Sequence, residues 1–321
     1  MLDKSQNPAF VPINKAFNQV FRPNRLSIGL VIPLEAYAVG AEPTMKGHLE
    51  AAQLAERLGF SALWLRDVPF NVPSFGDAGQ IFDPFVYLGA LATVTDRIAL
   101  GTASIVLPLR HPAHVAKAAA SADVLSGGRL LLGVASGDRP EEYPALNQTY
   151  PDRGERFRDS VGYISAVGAS YPTHESRQGH LSGNIDLLPK PTGARLPLLI
   201  TGGSQQSPDW IAQNGDGWMT YPRDVASQAR VVSDYRDRLA KMGQPDKPVM
   251  QSLYVDLLEE PDAPARPIHL GFQSGTTFLR RYLRDIEAMG VNHVALNLRF
   301  NQTSIETTLK RLADDLLSDF S

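Results

Sequence analysis

Residues 97–138 read RIALGTASIVLPLRHPAHVAKAAASADVLSGGRLLLGVASGD, and this stretch decides the fold. Residues 98–107 are rich in Ile, Leu and Val, which is typical of a buried strand. Pro112 then opens a helix, because its missing N–H costs nothing in a first turn. Residues 130–135 form a second apolar run that stops at Ser136. The stretch therefore predicts a parallel strand–helix–strand unit whose strands end in small polar residues.

The same alternation continues along the whole chain. Apolar runs predict eight strands, at residues 26–34, 61–66, 98–107, 130–135, 197–201, 217–221, 249–257 and 293–298. A helical pattern of apolar residues follows each strand. Eight such units in order predict an α/β fold, a single (β/α)8 TIM barrel over residues 26–321. Residues 1–25 precede it as an N-terminal arm, which we expect to pack on the barrel or on a neighbouring subunit.

Two segments are too long to be simple connections. Residues 69–83 follow the second strand, and residues 168–196 precede the fifth. Long excursions in a compact domain are usually functional loops. We therefore predict that both insertions act as lids over a site at the barrel mouth.

The composition excludes several classes of protein. The 321 residues include no cysteine, which rules out a disulfide framework, a cysteine zinc site and a thiol nucleophile. The 31 basic and 34 acidic side chains give a net charge of −3, without long blocks of either sign. This balance argues against binding to nucleic acid or to a membrane surface. No apolar run approaches the roughly 20 residues of a membrane span, and no signal-peptide pattern is present, so we expect a cytoplasmic protein.

Gly202, Gly203 and Ser204 follow the fifth strand, at the barrel end where (β/α)8 enzymes bind their ligands. Glycines let backbone N–H groups approach an anion, and a helix begins shortly afterwards. The turn therefore predicts a phosphate site, and the alternative is a plain tight turn between a strand and a helix. Ser136 and Gly137 end the fourth strand in a similar way, with a less specific signal.

Charged residues at or near strand ends are further candidates. Asp67 ends the second strand, where its carboxylate can contact a ligand or form an ion pair with the neighbouring Arg66. Arg299 follows the eighth strand. Arg129 and Arg153 can serve a phosphate, although a solvated surface position is the simpler interpretation for each.

His111 and His114 stand three residues apart at a helix start, which invites a metal interpretation. No third ligand accompanies them at a suitable spacing, so capping or packing is favoured and we predict no metal site. The chain also contains no GxSxG elbow, no Walker loop and no GxGxxG fingerprint. The usual support for a serine hydrolase, a kinase or a Rossmann dehydrogenase is therefore missing.

Four ordered segments resemble the bacterial luciferase-like monooxygenase family. They are DPFVYLGALATVTDRIALGTASIVLPLRHPAHVAKAAASADVLSGGRLLLGVASGD (83–138), RGERFRDSVGYI (153–164), LLPKP (187–191) and PLLITGGSQQSPDWIAQNGDGW (197–218). The similarity runs from Leu26 nearly to the C-terminus, with the family's order and spacing. A single motif such as LSGGR is only moderately specific, whereas the ordered set is highly specific.

The resemblance implies a barrel that binds FMN, or in some branches a deazaflavin coenzyme, at the C-terminal ends of the strands. Members typically use reduced flavin and oxygen to oxidise a small organic substrate, a separate reductase supplies the reduced flavin, and a homodimer is common. Ser104 falls where the family often kinks its backbone beneath the flavin ring. The cofactor-binding residues that the resemblance implies are Asp67, Ser104, Ser136, Gly137, Gly202, Gly203 and Ser204.

The chain departs from the family pattern in two places. Light-emitting members carry a histidine pair where this chain has Asp67 and Val68, so light emission is not expected and the acid/base residue is unassigned. An arginine that is common near position 136 is here Ser136, which leaves the phosphate to backbone and hydroxyl donors, or to Arg129, Arg153 or a partner residue. Two alternatives stay open: a deazaflavin-dependent reductase or dehydrogenase of the same fold, and a flavin-binding protein without catalysis.

Overall fold

The computed structural model describes residues 10–40 and 42–320. Eight parallel strands form the barrel: β1 (Ser27–Val31), β2 (Ala62–Leu65), β3 (Ala99–Thr102), β4 (Leu130–Ala135), β5 (Leu198–Thr201), β6 (Gly217–Thr220), β7 (Val249–Leu257) and β8 (His293–Asn297). Each strand pairs in parallel with the next. The barrel closes where β8 pairs with β1, with Ser27 opposite His293. The predicted (β/α)8 barrel is confirmed.

Helices cover the outside of the barrel. The described residues form α1 (Lys15–Val20), α2 (His48–Leu58), α3 (Pro84–Val94), α4 (Pro112–Leu125), α5 (Glu142–Ala145), α6 (Arg153–Ala166), α7 (Pro208–Asn214), α8 (Val225–Lys241), α9 (Thr276–Ala288) and α10 (Ile305–Leu316). Three of them begin at a proline, where the missing N–H leaves no intrahelical bond unmade. None of the helices within these ranges is long and apolar enough to cross a membrane.

The third predicted strand is interrupted at the barrel mouth. Residues 98–107 were expected to form one strand, but β3 ends at Thr102 and a two-residue segment, Ile105–Val106, pairs separately with β4. The peptide bond between Ala103 and Ser104 is cis. The interruption lies at the position where the resemblance implies a backbone kink.

Glycines make room for large side chains inside the barrel. The Trp64 side chain is fully buried there, and a Cβ at Gly101 would overlap its ring. A Cβ at Gly133 would overlap the carbonyl oxygen of Thr102 and lie 2.8 Å from the Met219 sulfur. The interior therefore depends on close contacts between neighbouring strands that no larger residue at these two positions would allow.

The described part of the N-terminal arm packs on the chain's own barrel. Helix α1 is capped by Asn14, whose side-chain amide also donates to the carbonyl of Leu130, the first residue of β4. Phe17 and Phe21 join the apolar cluster inside the barrel, with ring centroids 5.2 Å apart. The helix therefore covers the end of the barrel opposite the strand C-termini. Residues 1–9 of the predicted arm lie outside the described residues.

The two insertions take different courses. Residues 69–83 cross the C-terminal end of the barrel, because Asp77 contacts Arg66 at the end of β2 and Arg299 beyond β8. The second insertion contains an antiparallel hairpin, Thr173–Ser176 with Gly179–Ser182. This hairpin lies against the outer helices rather than across the mouth.

The contacts of the hairpin account for its position. The carbonyl of Gln178 hydrogen-bonds His111 at the start of α4, and the Tyr163 ring of α6 packs edge-on against His174. We did not predict a further hairpin, which consists of Arg266–Ile268 and Gly271–Ser274. Its second strand pairs with the C-terminal half of β7.

Candidate functional site

The turn after β5 presents unpaired backbone donors at the barrel mouth. Gly202, Ser204 and Gln205 have left-handed φ angles of 54°, 42° and 58°. Across residues 10–40 and 42–320, the N–H groups of Gly203, Ser204 and Gln205 have no hydrogen-bond acceptor. Consecutive N–H groups of this kind form an anion-binding concavity. We name residues 203–205 the donor turn.

Neighbouring strands hold the donor turn in place. The N–H of Gly202 donates to the Met219 carbonyl at 2.8 Å, and Trp218 Nε1 donates to the Gly202 carbonyl at 2.9 Å. The Ser204 hydroxyl donates to the Thr201 carbonyl at 2.7 Å. Its oxygen keeps free lone pairs, but its hydrogen is already committed. The N–H groups rather than the hydroxyl are therefore the donors available to an anion.

Ser104 lies beside this turn, although it is almost 100 residues earlier in the chain. Its hydroxyl forms a short hydrogen bond with the hydroxyl of Thr201, the last residue of β5. Both hydroxyls face the Met219 sulfur, at 3.8 Å from Ser104 and 3.2 Å from Thr201. The structure thus brings Ser104 and residues 202–204 together, as a predicted cofactor site requires.

The first turn of α6 packs against the same donor turn. A Cβ at Gly154 would lie 2.8 Å from the Gln205 Cβ, so only glycine permits this approach. The Gln206 amide donates to the Gly154 carbonyl at 2.7 Å. Arg153, next to Gly154, stacks 3.7 Å over the Tyr150 ring, and its Nε is buried without a partner in the described residues. The Arg153 Nη1 also donates to the Tyr150 carbonyl at 3.0 Å, so the guanidinium is held at Tyr150.

Arg129 has a different role from either predicted one. The residue is 2% exposed and precedes β4, at the opposite end of the barrel. Its guanidinium donates to the carbonyls of Ala92, Thr95, Ile98 and Ser126. The expectation of a solvated surface arginine was wrong. The four carbonyls, which lie at helix ends and before a strand, accept the hydrogen bonds that water would accept at the surface. Its distance from the strand C-termini also excludes it as a ligand of the donor turn.

Ser136 and Gly137 shape the wall of the mouth after β4. The Tyr143 hydroxyl forms a short hydrogen bond to the Ser136 carbonyl. Gly137 has a φ of 77°, and a Cβ there would lie 2.7 Å from Val106 and 2.8 Å from the Tyr143 hydroxyl. Position 137 thus requires glycine, because its φ is positive and because a Cβ would have no room. A contact of either residue with a flavin stays a prediction.

Asp67 is engaged by other protein groups. Its two oxygens accept from Arg110 at 2.7 and 2.8 Å, and one also accepts from the Val106 N–H at 3.1 Å. The side chain is 1% exposed. The expected ion pair with Arg66 was wrong, since Arg66 pairs with Asp77 instead. Asp67 holds the segment that follows Ser104, and its direct contact with a cofactor stays a prediction.

The two histidines at the start of α4 act in capping and packing. His111 Nδ1 accepts from the Ala113 N–H at 3.2 Å as the N-cap of the helix. The His111 ring packs against the rings of His114 and Tyr163. Within the described ranges, no group of three or more His, Cys, Asp or Glu side chains is arranged to hold a metal ion.

Three arginines surround Asp77 at the barrel mouth. Arg66 contacts its carboxylate at 2.7 Å, and Arg299 at 3.1 Å. Arg139 donates to its backbone carbonyl at 2.9 Å. Burial opposes ionisation of Asp77, but Arg66, the Gly79 N–H and Arg299 lower its pKa below the ordinary value. We did not predict Asp77 or Arg139, because neither lies in a recognisable motif.

Glu142 lies next to this cluster and is 2% exposed. Burial raises its pKa to about 7, and the opposing effects of Arg139 and of a hydrogen bond from the Phe70 backbone do not cancel that rise. The unfolded chain releases this proton near pH 4.5, whereas the folded protein keeps it to about pH 7. The folded state then binds more protons than the unfolded state, so this group lowers stability as the pH rises through that window.

Replacing Glu142 by glutamine tests this assignment. We expect Glu142→Gln to gain stability relative to the wild type between pH 5 and pH 8, because the amide has no proton to release. Urea unfolding of both proteins at the two pH values measures the difference. If the two proteins differ in free energy of unfolding by the same amount at pH 5 and at pH 8, the raised pKa of Glu142 is refuted.

The barrel defines a (β/α)8 protein, a class of fold that binds its ligands at the C-terminal ends of the strands. A family model described as luciferase-like monooxygenase matches residues 27–309. The chain belongs to the luciferase-like monooxygenase family.

Three relatives illustrate the range of this similarity. An uncharacterised protein of Mycobacterium tuberculosis is 33% identical over 240 residues, which is 69% of this chain and 83% of that protein. An F420-dependent hydroxymycolic acid dehydrogenase of the same organism is 30% identical over 179 residues, covering 54% of this chain and 48% of the dehydrogenase. The oxygenase component of a flavin-dependent trigonelline monooxygenase from Acinetobacter baylyi is 30% identical over 166 residues, covering 51% of this chain and 42% of that protein.

Solved structures share the fold. Monooxygenase RslO1 from Streptomyces bottropensis superposes with a TM-score of 0.77 at 20% identity, over 92% of this chain and 100% of that one. An F420-dependent secondary alcohol dehydrogenase, in complex with an F420–acetone adduct, superposes with a TM-score of 0.74 at 17% identity, over 91% and 98%. At these identities the likeness establishes the fold alone.

Proposed function

We propose that this protein is a flavin-dependent oxidoreductase, and specifically the oxygenase component of a monooxygenase that uses reduced FMN and O2 on a small organic substrate. One observation carries the proposal. The three unpaired N–H groups of the donor turn lie at the C-terminal end of β5, next to Ser104 and Thr201. The trigonelline monooxygenase component among the relatives supports the choice of reaction.

The residues at the donor turn fit the phosphate of a flavin mononucleotide. A phosphate needs several donors and room to approach them, and a Cβ at Gly203 would meet no atom within 4 Å. Backbone N–H groups are the donors available here, since the Arg153 guanidinium is held by the Tyr150 ring and carbonyl. This arrangement replaces the arginine that the family often carries near position 136. Of the three residues that the resemblance implies for the phosphate, Gly203 and Ser204 keep free N–H groups, whereas the Gly202 N–H already donates to the Met219 carbonyl.

The remaining residues would position the flavin ring and shield it. When bound, reduced flavin supplies the electrons for the reaction with oxygen. Ser104, Thr201 and Met219 offer two hydroxyls and a sulfur beside the donor turn. The Asp67–Arg110 pair anchors the backbone after Ser104 through the Val106 N–H. The insertion at residues 69–83 covers the mouth and would exclude water from the site.

A deazaflavin-dependent dehydrogenase of the same fold is the second candidate. The observation in its favour is the hydroxymycolic acid dehydrogenase, which resembles this chain at the same 30% identity as the monooxygenase component. The donor turn would serve the phosphate of either coenzyme. A third possibility, a flavin-binding protein without catalysis, is separated from both by an assay of turnover.

Equilibrium binding separates the coenzymes. We expect reduced FMN to bind the purified protein with micromolar or tighter affinity, and more tightly than a deazaflavin coenzyme. Anaerobic titrations of the protein with FMN and with a deazaflavin coenzyme, each in its oxidised and its reduced form, measure these affinities by fluorescence. A preference for deazaflavin would favour the dehydrogenase, and no binding of any form would refute the whole proposal.

Gly203→Asp tests the phosphate site directly. The backbone at position 203 accepts a side chain without a clash, so the variant should fold, but its carboxylate would repel the phosphate. We expect FMN affinity to fall by about 100-fold or more. Gly203→Asn, which has the same shape without the charge, should lose much less. Equal FMN affinity in both variants and the wild type would place the phosphate elsewhere.

The partner and assembly follow from the same proposal. The relative from Acinetobacter baylyi is named as an oxygenase component, and by analogy we propose that a separate reductase supplies reduced flavin to this protein. A homodimer and a cytoplasmic location are further proposals. Light scattering of the purified protein tests whether it is a homodimer.

A further inference from the structure

A cluster of buried arginines stands apart from the donor turn. We define the arginine cluster as Arg66, Arg139 and Arg299, which contact two oxygens of Asp77. Arg66 and Arg299 both contact Oδ2, and Arg139 donates to the backbone carbonyl. Arg139 is 5% exposed and Arg299 9% exposed. Side chains of this type are seldom buried unless their charge is balanced and their donors are paired.

The pairing in the cluster is incomplete. Arg66 Nε, Arg139 Nη1 and Arg299 Nε are each buried without an acceptor in the described residues. Asp77 therefore satisfies part of the donor set and leaves one N–H group on each guanidinium unpaired. A buried unpaired donor on a charged group is costly, so these atoms call for acceptor oxygens that the protein itself does not supply.

The other charged groups nearby do not fill the gap. Arg110 is neutralised by Asp67 and Asp83 on the far side of β2. Asp138 and Glu142 act on Arg139 only through space, and Glu142 has its own Oε1 unpaired. The cluster thus keeps donors in excess over acceptors.

The position of the cluster suits a substrate rather than the flavin phosphate. Arg66 follows β2 and Arg299 follows β8, the two strands that flank β1. In a closed barrel of eight strands, β1 lies opposite β5, which carries the donor turn. Arg66 and Arg299 therefore stand across the mouth from the donor turn, whereas Arg139 follows β4, the neighbour of β5, and reaches Asp77 from that side. A ligand between the first two arginines and the donor turn would have one end near each.

Asp77 is carried by the insertion that crosses the mouth, not by the barrel wall. The same segment presents Phe75, whose ring lies 4.0 Å from the Arg139 guanidinium and is 44% exposed. A carboxylate on a loop can be exchanged for a carboxylate on a ligand with no change in the charge of the cluster.

We propose that the arginine cluster is the binding subsite for a carboxylate group of the substrate, and that Asp77 occupies this subsite when no substrate is bound. The proposal names the substrate class as small organic acids. It rests on the proposed function for the reaction that follows, but anion binding itself needs no flavin. The bidentate geometry of guanidinium groups is well matched to a carboxylate.

Asp77→Asn tests the exchange, with acetate and benzoate as probes and acetamide and benzamide as their neutral counterparts. Removing the competing carboxylate should raise the affinity for both anions by about tenfold over the wild type, with no change for the amides. Thermal unfolding at pH 7.5 and constant ionic strength measures this, since a ligand of the folded state raises the unfolding temperature. Fluorescence titration gives the dissociation constants.

Two more variants keep the test decisive. Arg139→Gln, which leaves the Asp77 carboxylate with Arg66 and Arg299, should lower anion affinity about tenfold. Asp216→Asn is the matched control, because Asp216 also pairs with an arginine and a backbone N–H but lies far from the mouth. Its affinity for acetate and benzoate should equal that of the wild type. If Asp77→Asn binds anions no better than amides, the cluster only anchors the loop. Flavin titration of the same proteins separates this result from a failure of the proposed function.

Discussion

Replacing Gly133 by alanine is expected to abolish stable folding of the barrel. The added Cβ would overlap the Thr102 carbonyl oxygen and lie 2.8 Å from the Met219 sulfur. The sulfur belongs to a flexible side chain and can move, but the carbonyl belongs to the backbone of β3. Relief therefore requires that β3 and β4 separate where Thr102 Oγ1 donates to the Gly133 carbonyl at 2.8 Å. We expect a loss of at least about 3 kcal/mol in the free energy of unfolding.

Gly89→Ala is the matched control for this variant. Gly89 lies inside α3, and a Cβ there would meet no atom within 4 Å. Alanine at a helical position should stabilise the protein by up to about 1 kcal/mol. Urea unfolding followed by circular dichroism compares the two variants. If Gly133→Ala unfolds at the wild-type midpoint, the two strands are less tightly packed than the structure indicates.

Acid is expected to destabilise the protein through His293 before most carboxylates are protonated. The imidazole is fully buried inside the barrel, and burial lowers its pKa to about 3. Its Nε2 accepts from Trp64 Nε1 at 2.8 Å, so Nδ1 carries the hydrogen that faces the Ser27 hydroxyl at 2.7 Å. The Ser27 hydroxyl in turn donates to the Val20 carbonyl. Protonation of Nε2 would break the bond to Trp64 and place a charge in an apolar cavity.

The sign of the effect follows from proton binding. An unfolded histidine binds a proton below pH 6.5, whereas the folded protein resists it down to about pH 3. The unfolded state thus holds the extra proton in this window, and stability falls as the pH decreases. At pH 4 the cost from this one residue is about 3 kcal/mol. His293→Gln, which can both accept from Trp64 and donate to Ser27, should remove that part of the acid sensitivity.

Unfolding by urea between pH 7 and pH 4 measures the effect. The free-energy curve of His293→Gln should be flatter than that of the wild type, whatever its absolute stability at neutral pH. His180→Gln, at an exposed position on the hairpin of the second insertion, serves as the control. Parallel curves for the wild type and His293→Gln would show that the buried imidazole does not govern acid stability.

Much of the fold was predictable because its signals are local. Each strand is a short apolar run, and each helix carries its own apolar stripe and often a proline or a capping residue at its start. The interruption after Thr102 was not visible in the residue pattern, since Ser104 is a small residue within a continuous apolar run. Only the family resemblance implied a backbone kink there. The hairpin at residues 266–274 was also missed, because its short strands carry no regular alternation.

The candidate site was predictable only in part. Glycines after strand ends mark positions where the backbone must turn sharply, which is how residues 136–137 and 202–204 were found. The ion pair between Asp67 and Arg66, one of two interpretations of Asp67, was wrong because neighbouring residues at a strand end point to opposite faces. Asp67 and Arg66 therefore reach different partners, Arg110 and Asp77.

The sequence by itself determined the number of strand–helix units, their order and the barrel end that carries the turn after β5, because each depends on residues close together in the chain. Only the tertiary structure decided which charged side chains meet. Arg139 and Asp77 are 62 positions apart, and Arg299 reaches the carbonyl of Gly76 across 223 positions. Such contacts exist only after β8 has paired with β1 and the barrel has closed.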